Sequence, residues 1–76
     1  MNKEPKYWVG SQHLTCDLCG ADLVDGGFFI DGRIYAHTTW AMMCLLCHNQ
    51  VGVGLGTGRG QKYERQEDGK WLKIGG

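Results

Sequence analysis

Three features of the 76-residue chain predict its fold class. Its four cysteines fall as two C-x-x-C pairs, Cys16 with Cys19 and Cys44 with Cys47. Between and after the pairs lie short β-forming runs broken by turn residues, and the chain is too short to rest on an apolar core alone. Together these predict a small β-dominated, zinc-stabilised domain, a zinc ribbon. A treble-clef-like arrangement with a short helix after Cys47 is the alternative.

Size sets the need for a cross-link, because a domain of this length buries only about 60% of its unfolded surface. Disulfides belong to oxidising compartments, yet Met1 to Lys6 lead into Tyr7-Trp8-Val9 without the apolar stretch of a signal peptide. No stretch is long and apolar enough to span a membrane as a helix. The expectation is therefore a reducing cytoplasm. There, paired C-x-x-C motifs read as a metal site.

In chain order, residues 1–13 read as an N-terminal arm, with Tyr7-Trp8-Val9 as either an edge strand or a loose attachment, and 14–76 as the zinc-ribbon-like domain. Cys16-Asp17-Leu18-Cys19-Gly20 has a glycine where a knuckle turn needs positive φ. Phe28-Phe29-Ile30 and Arg33-Ile34-Tyr35 flank Asp31-Gly32, which predicts a two-residue hairpin turn. Trp40 to Met43 leads into Cys44-Leu45-Leu46-Cys47, after which one or two helical turns through His48 to Val51 are expected to stop at Gly52. From Gly52 to Gly60 glycine occupies every second position, and an extended chain would set all five glycines on one side. Such a ladder suits close packing against the knuckles or a ring; as a phosphate cradle it lacks the P-loop and dinucleotide signatures. Gln61 to Gln66 and Lys70 to Ile74 flank Glu67-Asp68-Gly69 and read as a closing hairpin.

A C-x-x-C turn offers two sulfurs from one rigid loop, and two such turns complete the tetrahedral shell of Zn2+. With four thiolates no position remains for water, so the expected role is structural and the chain is not expected to be an enzyme. Cys44 to His48 also fits the haem-attachment pattern C-x-x-C-H, but that reading leaves Cys16 and Cys19 without a role. A redox pair would want a βαβ context that neither motif has. His37 and His48 read either as a second metal site or as plain hydrogen-bonding groups near the knuckle and hairpin end.

The string from His13-Leu14-Thr15-Cys16 through Phe29-Ile30-Asp31-Gly32, Trp40-Ala41-Met42-Met43-Cys44, Cys47-His48 and Gly52 to Tyr63 resembles a largely uncharacterised family of short four-cysteine zinc-finger proteins of tailed phages and prophages. The likeness is strongest from Trp40 to Tyr63. It implies a phage or bacterial origin and a zinc-finger fold, and it implies no activity. A second likeness is to cysteine-bearing HNH endonucleases: Cys44, Cys47, His48 and Asn49 match their ending. Ala36-His37 replaces the acidic-His step of those nucleases.

Eight basic and eight acidic residues cancel, which removes long-range attraction as a general argument for nucleic acid. Their distribution is uneven. Asp17, Asp22, Asp25 and Asp31 stand without a basic neighbour between Leu14 and Gly32, whereas Arg59, Lys62, Arg65, Lys70 and Lys73 enrich the tail. Two partner classes follow. With Trp8, Trp40 and Trp71 as anchors, the domain is expected to dock on a bacterial host protein, its acidic face meeting a basic groove. Alternatively, Arg59, Lys62, Tyr63, Arg65 and Trp71 bind nucleic acid directly, rings stacking on bases and cations on phosphates. No membrane or small-molecule partner is expected.

Overall fold

The computed structural model describes residues 5–10 and 14–76. The rest of the arm expected over 1–13 lies outside the described residues. Four strands and two helices follow in the order α1 (Leu23–Gly26), β1 (Phe28–Arg33), β2 (Trp40–Met43), α2 (Leu45–Val51), β3 (Gly60–Arg65) and β4 (Trp71–Gly75). The strands form one antiparallel sheet ordered β2-β1-β3-β4. Among the described residues no helix is long and apolar enough to cross a membrane.

β1 is a central strand, paired on both sides, and this explains its uniformly apolar start. Phe29 and Ile30 point to opposite faces, and both are buried. One face carries the main core, where Leu14, Cys16, Leu23, Phe29 and Trp71 pack together. Phe29 is the hub of its aromatic part. Its ring stacks on Tyr63 at 4.9 Å and meets Trp8 and Trp71 edge-on at 5.3 and 5.0 Å. On the other face Ile30 and its cross-strand partner Met43 are buried, and α2 packs against β1 and β2.

The Asp31-Gly32 turn expected from the sequence is absent: both residues lie inside β1, opposite Met42 and Ala41 on one side and Gln61 and Gly60 on the other. Gly32 is there for close approach. A Cβ at this position would sit 3.0 Å from the Arg59 carbonyl oxygen and 3.2 Å from Gly60 Cα. The hairpin turn falls later, over 34–39, where Ile34 N–H donates to Thr39 O at 3.1 Å and Ala36 takes a φ of 65°.

The closing hairpin forms as expected, with Gly69 at φ 86° and Gly69 N–H donating to Gln66 O at 2.9 Å. The glycine ladder is not extended. Gly54, Gly56 and Gly58 take positive φ in a looped segment, whereas Gly52 accommodates the His48 ring and Gly60 lies against Gly32. At the far edge, Trp8 N–H donates to Trp71 O at 2.9 Å and Lys73 N–H to Lys6 O at 2.7 Å, so this part of the arm lines β4. Trp8 is thereby drawn onto the core.

Candidate metal centre

Each cysteine pair is shaped by its own short element. In the first, Gly20 at φ 79° lets Gly20 N–H donate back to Cys16 O at 2.9 Å, while Cys16 N–H donates to Ala21 O at 2.8 Å. The chain then enters α1, capped by Asp22, whose Oδ1 accepts from Val24 N–H at 2.8 Å. In the second, Cys44 is the N-cap of α2 and its sulfur accepts from Cys47 N–H at 3.5 Å. The C-x-x-C spacing thus sets one sulfur at the cap and the next in the first helical turn.

The β1–β2 hairpin brings the pairs together. All four sulfurs lie within 4.8 Å of one another, and Cys19 Sγ is 3.8 Å from Cys44 Sγ. No disulfide joins them: the four are free thiols. A tetrahedral metal with bonds of about 2.3 Å to sulfur requires sulfur–sulfur separations of roughly 3.8 Å, so the donor set fits such an ion. Cys16 is buried, Cys44 and Cys47 are half-buried, and Cys19 is exposed. The cluster is therefore rooted in the core and open to solvent on one side.

Burial opposes ionisation of Cys16, but N–H groups of Cys19, Cys44 and Leu18 aimed at its sulfur outweigh this and bring its pKa from 9.0 to about 6. Cys47 is pushed the other way, to about 12, first by its hydrogen bond with the Cys44 side chain, then by burial and by the other two sulfurs. The sulfurs thus share hydrogen bonds with one another. A divalent cation replaces that sharing, since metal binding releases thiol protons.

The remaining candidates are dispersed. His37 is exposed on the 34–39 loop, and His48 on α2 directs Nε2 to Gly54 O at 3.2 Å. Among the described residues, neither histidine joins a group of three or more metal-ligating side chains. Arg59 and Arg65 are exposed; Lys62 holds Nζ 5.1 Å above the Phe28 ring. Tyr63 and Trp71 are not an open stacking platform. Tyr63 is stacked on Phe29, and Trp71 is 1% exposed within the core. Trp8 likewise packs on Phe29 and Tyr63, which leaves Trp40, at 40% exposure, as the open tryptophan of the three. Leu18, Leu45 and Leu46 are further exposed neighbours of the site, and their positions inside the two C-x-x-C motifs mark them in the sequence.

No protein-family model matches this chain, and neither a curated protein nor a solved structure is significantly similar to it.

Proposed function

We propose that this chain is a zinc-stabilised binding module of treble-clef type, in which Cys16, Cys19, Cys44 and Cys47 hold one structural Zn2+. Zinc is favoured by the donor set, since four cysteine sulfurs gathered within 4.8 Å of one another suit this ion and would leave it no open position for substrate. The treble-clef reading is supported by the order of parts: a knuckle, a hairpin, then a helix whose N-cap and first turn carry the second cysteine pair. No catalytic role is assigned.

The zinc end is the surface by which the module docks on a protein. The observation that carries this reading is the exposure of Leu18, Leu45 and Leu46, at 45, 39 and 67%, all inside the two C-x-x-C motifs. Exposed Asp17, Asp22 and Asp25 lie close by in the chain, and four thiolates around one Zn2+ add a formal charge of minus two. An apolar centre with an acidic rim fits a partner with an apolar spot inside a basic groove, as on a protein that handles nucleic acid. The resemblance to phage proteins makes a bacterial host protein the partner of choice.

Co-purification from bacterial lysate, with the wild type beside a Leu18→Asp, Leu46→Asp double variant, tests this. The expected result is one stoichiometric partner, released by salt and lost with the variant at unchanged zinc content. Identical captures by both proteins contradict the reading.

A further inference from the structure

The opposite end of the β1–β2 hairpin carries a second surface, built from different residues. Arg33 and Trp40 are cross-strand partners there, so their side chains share one face of the sheet. On the other side of Arg33, its N–H donates to Arg59 O at 2.8 Å, which fixes the backbone of Arg59 next to it. Trp40, Arg33 and Arg59 therefore stand in a row across the sheet, roughly 10 Å from end to end at the usual strand spacing. Tyr35, 71% exposed, follows Arg33 at the start of the connecting loop.

The loops at this end are held as one body. The Arg33 guanidinium donates from Nε to Gly58 O and from Nη1 to His37 O, each at 3.3 Å, and so links the 34–39 loop to the glycine-rich segment. Ala36 accepts a φ of 65°, a conformation that a residue with a Cβ adopts only at some cost. Arg59 follows Gly58, whose positive φ turns the chain back towards β3.

Charge segregation gives this end a sign that the neutral total conceals. From Gly32 to Tyr63 the chain has Arg33, Arg59 and Lys62 and no acidic residue at all. The acids that flank this stretch, Asp31 and Glu64, are half-buried within β1 and β3. Two exposed rings and two arginines at this end of the hairpin, with no carboxylate on either loop, match the requirements of an unpaired nucleic-acid strand. Bases offer π-faces to Tyr35 and Trp40, while phosphates meet the arginines. A duplex keeps its bases stacked and cannot use the rings in this way.

We propose that Trp40, Tyr35, Arg33 and Arg59 form a binding surface for single-stranded nucleic acid, two to three nucleotides wide, at the end of the hairpin remote from the cysteines. This site replaces the one expected over Arg59 to Trp71, whose rings the core has taken. It is independent of docking at the zinc end.

Fluorescence anisotropy with labelled oligothymidylate and oligouridylate of about 12 nucleotides tests it on zinc-loaded protein. Zinc content and circular dichroism are recorded for every sample, so loss of the fold is separated from loss of binding. The wild type is expected to bind, with log K falling against log salt by about 0.7 for each phosphate contacted. Arg59→Glu should lower that slope by about one contact, and Tyr35→Ala should weaken binding roughly tenfold or more at the same slope. Lys70→Glu, an equal charge reversal on the far hairpin, should change affinity much less than Arg59→Glu. Comparison of the two oligonucleotides assigns DNA or RNA. Absence of binding by folded, zinc-loaded protein overturns the proposal. So does a loss with Lys70→Glu equal to that with Arg59→Glu, or binding by Tyr35→Ala equal to the wild type.

Discussion

Asp17 and Met42 are tied by two reciprocal hydrogen bonds: Asp17 N–H donates to Met42 O at 2.8 Å, and Met42 N–H donates to Asp17 Oδ2 at 2.8 Å. One residue lies between the first two cysteines and the other two positions before the third. The pair therefore sets the distance between the two halves of the metal centre.

Removing the Asp17 acceptor loosens that distance, but it also removes a negative charge from an acidic region. The two effects are separable. Asp17→Ala is expected to lose about 1 kcal/mol, the net worth of one hydrogen bond, and to bind zinc more weakly. Asp17→Asn keeps an acceptor oxygen and should match or exceed the wild type. Chelator competition on both variants measures this, and equal behaviour of Ala and Asn contradicts a positioning role for the bond.

Glycines at 26 and 32 should respond in opposite ways to alanine. At Gly32 the new Cβ meets the backbone of Arg59 and Gly60 inside the central strands, where neither can yield, and a loss of about 1–3 kcal/mol is expected. Gly26 has open space around it and no positive φ, so alanine there should add about 0.4–1 kcal/mol through the unfolded chain. Urea denaturation of the zinc-loaded variants gives both values; a neutral Gly32→Ala would show that the close strand approach is not needed.

Asp31 supplies a pH dependence. Its carboxyl pKa is raised, first by burial and then by the charge of Asp17. A raised acid stabilises the fold while protonated, below the ordinary aspartate pKa of about 3.9, and loses that contribution as pH rises through the folded value. At neutral pH the ionised side chain therefore works against folding. Asp31→Asn should melt at a higher temperature than the wild type at pH 7, with the gap narrowing as pH falls towards 4. A variant less stable than the wild type at pH 7 would contradict this.

Local chemistry made part of this fold readable. Cysteine spacing, the stop of α2 at Gly52 and the turn at Gly69 depend on residues adjacent in sequence, and each lies where expected. Asp31-Gly32 misled because the same dipeptide serves a tight turn or a close strand pair, and the choice rests on Gly60, far along the chain. The glycine ladder misled for a similar reason: its positive φ values are set by a turn that leads back into β3, a property of the loop as a whole. Trp8 carried no local sign that it would pack on Phe29, nor Trp71 that it would be core rather than surface. The tip formed by Arg33, Trp40 and Arg59 needed the register of three segments, which no single segment encodes.

A single titration bears most directly on the zinc centre. Purified protein is treated with increasing chelator while released zinc and the far-ultraviolet circular dichroism are followed together. The account predicts one zinc per chain, with the sheet signal lost in step with the metal, because zinc binding at such sites contributes about 10–16 kcal/mol to folding. A chain that is purified folded without metal, or that keeps its sheet and its melting temperature after the zinc has gone, would contradict it.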